Sequence, residues 1–455
     1  ISIEKSTFLD YEVTDSGFPK EDKSYVQRPG DVACLRTTNV QKNVEWDDLW
    51  FVPAKHVKRD DQNVRTGDIL ISTANSYELV GKVAQVMALP TPATLGAFIS
   101  LIRPKEDVHP KFLYHQLAWA KTQTRIRELS SNTTNISNVS TKKLATLELI
   151  IPSRDEQELI VSEIETQFSR LDEAVANLQR VKANLKRYKA SVLKAAVEGR
   201  LVETEASIAQ REGRRYETGE QLLQRILEER RAKVNGKGKY VEPDSTNVPN
   251  LSELPEGWTW ASAVQACERV VDCHNKTAPY TSTGIPLIRT TNIKDGLLLL
   301  EDTRYVDQPT YEFWSRRCPP EPGDVLFTRE APMGEAGIIP PGVKLCLGQR
   351  TMLMRPSHAI SSSFLLSALL SPVVKDLIDR VAVGSGVKHL RVGDVERLPV
   401  PLPPAAEQAR IVAEVDRYLS IIREVEAEVD INLQRAQALR QATLARAFVV
   451  GSGQI

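Results

Sequence analysis

The stretch LELIIPSRDEQELI (Leu147–Ile160) decides how this chain reads. An apolar run stops at Pro152, and Ser153 followed by Glu156 has the spacing of a helix capping box. The same punctuation returns as LPVPLPPAAEQARI (Leu398–Ile411), where Pro403-Pro404 is compatible with a first helical turn. Outward from these two hinges, CLRTTNV (Cys34–Val40) returns as LIRTTNI (Leu287–Ile293), and TGDILIST (Thr66–Thr73) as PGDVLFTR (Pro322–Arg329). LGAFISLIRP (Leu95–Pro104) returns as LGQRTMLMRP (Leu347–Pro356). Matches in the same order at a nearly constant displacement make the chain a tandem repeat, each copy a globular part followed by a long helix.

Within each globular part, short β-rich runs (DILIST, FISLIRP, DVLFTR, TMLMRP) are broken by turn residues. A helical patch follows, Lys111–Ile126 in one copy and Ser363–Val381 in the other, giving a mixed α/β domain. In the first long helix Ile164, Leu171, Leu178, Leu185 and Val192 recur as heptads, with Phe168 and Val175 at the partner position. The second carries Ile411, Val415, Tyr418, Ile422, Val425 and Val429 in the same phase. Lys182 and Asn432 interrupt the stripes, as polar residues do where register is set. A helix of about 45 residues would run roughly 65 Å. The simplest closed arrangement pairs the two helices antiparallel, with the domains at opposite ends and approximate two-fold symmetry. The alternative is two amphipathic helices, each buried on its own domain. Between the copies, Tyr216–Trp258 reads as a short helix from Thr218, capped by Gln221, and then a polar linker. Its Arg230, Arg231, Lys233, Lys237 and Lys239 could touch phosphate or simply be solvated.

The chain has 455 residues, 41% apolar and 26% charged, with zero formal net charge. This is a core-forming composition that argues against a uniformly basic nucleic-acid binder but permits a basic face. No apolar window approaches the ~20 residues of a membrane span. ISIEKSTFLDYEV at the start shows no signal-peptide pattern and no initiator Met. The five cysteines (Cys34, Cys267, Cys273, Cys318, Cys346) form no CxxC pair, so reduced thiols and a cytoplasmic setting are expected, without a metal site. Nucleotide-loop, GxGxxG and HExxH patterns are absent, and GKGK (Gly236–Lys239) is not a phosphate loop. No catalytic set is expected. Two similar but diverged domains on a rigid spacer suit an extended, roughly two-fold ligand, with duplex DNA the obvious candidate.

Taken in order, IPSRDEQ, VLKAAVEGRL (Val192–Leu201), TGEQLLQRILEERR (Thr218–Arg231), LPEGWTW (Leu254–Trp260) and VPLPPAAEQ make the chain resemble the specificity subunits of type I restriction–modification systems. The resemblance implies an α+β protein with two mixed α/β target-recognition domains, separated by two long antiparallel coiled-coil helices in a pseudo-two-fold tandem repeat. The expected boundaries are 1–152 and 254–404 for the recognition domains, 153–200 and 405–448 for the spacer helices, 201–253 for a short helix and linker, and 449–455 for a tail. It further implies that each domain reads one half of a bipartite asymmetric DNA site and that the subunit is not itself catalytic. Two modification subunits carrying S-adenosylmethionine would methylate adenine at N6. Two motor/nuclease subunits using ATP and Mg could add restriction. Two departures stand out: ISIEKSTFLDYEV occupies the place of LPEGWTWASAVQA, and LARAFVVGSGQI replaces a second LKAAVEGRL. The rival reading is a coiled-coil scaffold with two protein-binding domains and no DNA role.

Sequence readout needs donors and acceptors on loops or helix starts. The repeated RTTN supplies Arg36, Thr37, Thr38 and Asn39, and Arg289, Thr290, Thr291 and Asn292. The bland alternative places these residues in a strand end and a turn. Ser72, Thr73 and Asn75 in one copy and Arg329 in the other follow matched strands and then diverge. Asn138, and Lys388, His389 and Arg391 after the flexible GSG (Gly384–Gly386), lie in polar loops before each hinge. Glu156-Gln157 and Glu407-Gln408 are expected either to start the helices or to dock the modification subunits.

Overall fold

The computed structural model describes residues 8–9, 24–57, 60–96, 98–133, 136–234, 240–274 and 276–450. The reading of the amino-terminal stretch, apart from Phe8–Leu9, lies outside these residues, as do Lys237, Lys239 and the tail from 451. The chain forms two compact units, residues 1–179 with 430–455, and residues 180–429. The first is built from two chain segments and the second from one, because the boundaries fall inside the long helices and each unit takes part of both.

In the first unit the elements are β1 (Phe8–Leu9), β2 (Asp31–Leu35), β3 (Trp50–Pro53), β4 (Ile69–Ser72), β5 (Ala74–Asn75), β6 (Val83–Gln85), β7 (Ala93–Leu95) and β8 (Ile99–Ile102). They continue with α1 (Pro110–Ala118), α2 (Ala120–Glu128), β9 (Ser131–Asn132), β10 (Ser137–Asn138), α3 (Thr141–Leu144) and the 44-residue α4 (Arg154–Val197). The main sheet, β1-β8-β4-β6, is antiparallel, and β3-β2-β7 mixes an antiparallel with a parallel pair. Strand β4 shows why its run is continuously apolar. Ile69 and Ile71 face Leu113, Leu117 and Ile126 on the helices, whereas Leu70 faces Leu35 and Leu95 beneath. With a side-chain period of two, a strand covered on both faces reads apolar at successive positions, as Ile69, Leu70 and Ile71 do before the buried Ser72.

The second unit adds α5 (Glu205–Glu212), α6 (Gly219–Val234), β11 (Thr259–Ser262), α7 (Ala263–Ala266), β12 (Cys267–Asp272), β13 (Ile285–Ile288), β14 (Ile293–Lys294), β15 (Leu297–Leu298) and β16 (Arg304–Val306). It continues with α8 (Gln308–Ser315), β17 (Val325–Arg329), β18 (Met333–Ile338), β19 (Cys346–Leu347), β20 (Thr351–Pro356), α9 (Ser362–Leu370), α10 (Pro372–Val381), α11 (Val392–Glu396), β21 (Pro399–Leu402) and the 46-residue α12 (Ala405–Val450). Its sheets β12-β20-β17-β18 and β16-β13-β19 repeat the two topologies of the first unit.

The repeated GD and RP motifs have one cause. Arg103 forks onto Asp68 through Nε at 2.8 Å and Nη2 at 2.7 Å, and Arg355 forks onto Asp324 with both bonds at 2.8 Å. Both aspartates are buried and also accept a backbone N–H, from Arg65 and Glu321. A buried carboxylate is stable only when paired and hydrogen-bonded, so the two motifs stand or fall together.

The long helices pair antiparallel. In the first unit Val161 and Ile164 of α4 cluster with Leu444 and Phe448 of α12, and in the second Val192, Leu193 and Ala196 cluster with Ile411 and Val415. Ile164, Val192, Val415, Ile422 and Val429 are buried, but Leu171, Leu178 and Leu185 are only half-buried and Val425 is exposed. A two-helix seam covers a narrow stripe, and near the helix ends a globular part adds a third surface, as Phe112 does beside Ile164 and Phe364 beside Val415. Leu444 and Phe448 lie in the stretch that departs from the LKAAVEGRL of the first helix. Phe448 meets Phe112 edge-on at 5.6 Å between ring centroids and Trp119 at 5.9 Å.

All five cysteines are buried free thiols, and burial pushes the Cys267 thiol up to about 12. Among the described residues no helix is long and apolar enough to cross a membrane.

Candidate nucleic-acid interface

Three loops meet at one backbone position in each unit. In the first, the Thr73 N–H donates to Phe98 O at 2.8 Å, and the Thr73 carbonyl accepts from Val139 N at 2.8 Å. In the second, the Arg329 N–H donates to Arg350 O at 2.9 Å and the Arg329 carbonyl accepts from Leu390 N at 3.0 Å. The flanking residues repeat as well. Asn138 pairs with Ala74 and Ser137 with Asn75 in the small β5-β10-β9 sheet, while His389 bridges to Glu330. The loops singled out from sequence, Ser72–Tyr77 with Ser130–Asn138 and Thr328–Glu335 with Gly384–Arg391, are thus brought together. Thr134 and Asn135 of the second of these lie outside the described residues.

The RTTN segments border the same edge, at the end of the central strand of each mixed sheet. Leu35 O accepts from Gly96 N at 2.7 Å and Ile288 O from Gly348 N at 2.8 Å. A Cβ on Gly96 would lie 2.6 Å from Leu35 O, and one on Gly348 2.8 Å from Ile288 O, so only glycine allows this approach.

RTTN itself is a turn that closes on its own arginine and asparagine. Asn39 is buried; its Oδ1 accepts from Arg36 N at 2.8 Å and its Nδ2 donates to Glu45 O and Asp48 O, both at 3.0 Å. Asn292 is buried in the same way, between Arg289 N at 3.1 Å and Asp302 O at 2.9 Å. Arg36 lies over the Trp50 ring at 4.2 Å and donates to Asp48 Oδ2 at 2.8 Å. Arg289 turns toward Asp302 O at 3.5 Å. Asn39 and Asn292 therefore spend their amides inside the turn and have none to offer a base edge. Ser72 and Thr290 are also buried, Thr290 donating to Ala331 O at 2.9 Å.

The exposed candidates are Thr38, Asn138, Thr291, Lys388 and Arg391. Thr37, Thr73, Asn75, Arg329 and His389 are half-buried at the same edge, where Arg329 Nη1 donates to Leu390 O at 2.9 Å. Sequence reasoning passed over Phe98 and Arg350, which hold matched positions at the node. The divergence of AF from QR directly after a shared LG was the available signal. The second edge gathers Arg289, Arg329, Arg350, Lys388 and Arg391, while the first has Arg36 and Lys82, the latter with its amine at 2.8 Å from Gln41 Oε1.

Each hinge carries a buried glutamine. Gln157 Oε1 accepts from His109 N at 2.7 Å, and its Nε2 donates to Pro152 O at 2.9 Å and Asp107 O at 3.0 Å. Gln408 Oε1 accepts from Ser361 N at 3.0 Å while its Nε2 donates to Pro403 O at 3.2 Å. His109 and Ser361 are the N-cap residues of α1 and α9, so each glutamine ties a long helix to the start of its domain's own helix. The adjacent glutamates differ. Glu156 is exposed and closes the capping box, accepting from Ser153 N at 3.0 Å and Ser153 Oγ at 2.6 Å. Glu407 is buried and accepts from Glu205 N at 2.9 Å and Trp258 Nε1 at 3.0 Å. Burial raises its pKa, against the lowering effect of those two hydrogen bonds. VEGRL and LPEGW converge here, since a Cβ on Gly199 would strike Pro255 at 2.4 Å.

A second concavity, about 630 Å³, lies in the first unit between α1, α4 and α12. Its acids are already paired: Glu165 with Lys111 at 2.6 Å and His115 at 2.8 Å, and Asp172 with Lys42 at 2.8 Å and Arg440. Burial lowers the His115 pKa, so its imidazole favours the neutral form.

Comparison with known proteins gives this geometry a family. The family described as the type I restriction modification DNA specificity domain matches twice, at residues 30–187 and 275–433. The EcoKI type I specificity subunit of Escherichia coli (strain K12) is 26% identical over 91% of this chain and 81% of its own. The StySPI specificity subunit of Salmonella potsdam is 24% identical over the same shares of the two chains. A solved structure from work on complex assembly and conformational transition of the type I R-M system shares the fold, with TM-score 0.59 and 18% identity over 98% of this chain and 96% of that one. The two matched segments each take in one three-loop edge and most of the long helix that follows it. This chain belongs to the type I restriction–modification DNA specificity family, with two copies of the family's domain in a single polypeptide.

Proposed function

We propose that the chain is the non-catalytic reader of a DNA adenine-modification complex, each three-loop edge recognising one half of a bipartite, asymmetric duplex site. The observation that carries this reading is the pair of nodes at Thr73 and Arg329. Their backbone hydrogen bonds are the same while the side chains around them differ, which suits two half-sites of different sequence. The arginine-rich second edge favours guanine and phosphate, whereas the first offers amides, hydroxyls and an aromatic ring. In this reading α4 and α12 fix the gap between half-sites. Modification subunits loaded with S-adenosylmethionine supply N6 methylation, and motor/nuclease subunits using ATP and Mg would add restriction. Such a complex acts on chromosomal DNA in the cytoplasm.

The test is genome-wide mapping of methyladenine in cells that carry the chain with its modification subunits. A single two-part motif with a fixed gap is expected, and no motif together with no retention of duplex DNA would favour a protein-binding scaffold. Adding one heptad to each long helix lengthens the spacer by about 10 Å, so the gap should grow by roughly three base pairs. An unaltered gap would remove the helices from that role.

A further inference from the structure

Phe98 and Arg350 hold the same place in the two units, at the middle of the candidate edge. Each gives its carbonyl to the node, to Thr73 N and Arg329 N, and each follows the glycine packed on the RTTN strand. Both have left-handed backbones, with φ of +67° and +65°. Bulky side chains rarely adopt that region, because Cβ crowds the carbonyl, and glycine would take the position without strain. Both units nevertheless place a large side chain there and leave it in solvent: Phe98 is 50% exposed and the Arg350 side chain 53%. Ordinary core packing does not explain an exposed phenyl ring on a strained backbone. Strain that persists at one position in two diverged copies points to what the side chain does outside the fold.

We infer that Phe98 and Arg350 are the central base-reading side chains of the two domains, an inference that rests on the half-site reading above. Arg350 has the geometry for a guanine. Its Nε lies 3.2 Å from Glu330 Oε2, an ion pair that restrains the planar group while the side chain stays exposed. Phe98 offers no hydrogen bond and suits an apolar contact, a thymine methyl or a wedge against a base step. The first domain is thus assigned an apolar central reader and the second a guanine reader.

The experiment maps methyladenine in cells carrying the full chain and its modification subunits, comparing wild type with Phe98→Gly, Phe98→Leu, Arg350→Gly and Arg350→Lys. Each substitution at Arg350 should relax one position in one half of the motif, with discrimination there falling at least about tenfold. Phe98→Gly should relax a position in the other half only. The glycine variants should melt no lower than wild type, because glycine accepts positive φ, so loss of reading is separated from loss of fold. Unchanged motifs in all four variants would overturn the inference. So would an equal loss in both halves accompanied by a lower melting temperature, since the side chains would then be structural. A wild-type chain that directs no two-part motif sinks the half-site reading itself, whereas a wild-type motif that survives every substitution sinks only this assignment.

Discussion

Glu156 and Glu407 occupy equivalent places at the starts of the two long helices, yet one stands in water and the other is sealed. Glu156 caps its own helix and nothing more. Glu407 gathers the amide of Glu205 and the indole of Trp258 into a buried carboxylate. Beside them Gln157 and Gln408 make the same latch twice, and so do the forks Arg103–Asp68 and Arg355–Asp324. The duplication has kept in both copies what folds a domain. The glutamate has taken on a second task only where a strand and helix from the central segment have to be held.

The largest test of that contrast is the pair Asp68→Ala and Asp324→Ala. Each removes the buried carboxylate onto which a mostly buried arginine forks and should destabilise its own unit by about 3 kcal/mol. Unit-resolved hydrogen exchange should find the two losses equal, and a marked inequality would break the claim that the fork serves both copies alike. Next, Glu407→Ala strands two buried donors and should cost the second unit about 2–3 kcal/mol in denaturant unfolding. Glu156→Ala should barely move the first unit, and equal losses would erase the contrast. Smaller and again matched, Gln157→Ala and Gln408→Ala should each cost about 1–2 kcal/mol through the N-cap amides they abandon. The smallest effect depends on pH. Burial raises the folded pKa of Glu407 above its unfolded value, so its ionised form is penalised at neutral pH. The protonated side chain therefore adds stability at low pH that is lost as pH rises through the folded pKa. Wild type should gain on Glu407→Gln as pH falls from neutral through the upper carboxylate range, and parallel pH profiles would show that the environment of Glu407 does not penalise charge.

Periodicity made the architecture legible. The hinges, the heptads from Ile164 to Val192 and the pairing of candidate loops all follow from spacing, which the sequence displays directly. What it hid depends on contacts between distant residues. Asn39 and Asn292 have the residue type of a base reader and of a turn closer alike, and only their burial separates the two roles. Leu444 and Phe448 fall within the expected second spacer helix, but the surfaces that cover them, at Phe112 and Val161, lie far away in the chain and cannot be read from spacing. The two hinge glutamates share a letter and a motif, and their difference comes from Glu205 and Trp258. Phe98 shows in the sequence only as a divergence after the shared LG, since its distinction is a backbone angle.

The half-buried middle of the long helices has a consequence for how such proteins diversify. Leu171, Leu178 and Leu185 are partly open, and Val181, Ile421, Val425 and Ile431 on the same stretch are exposed. A heptad gained or lost in both helices there keeps the seam in register and falls outside the clustered ends at Ile164 and Val192. If each domain reads one half-site, as proposed above, the bases recognised and the distance between them would be set by separate parts of the chain and could change independently.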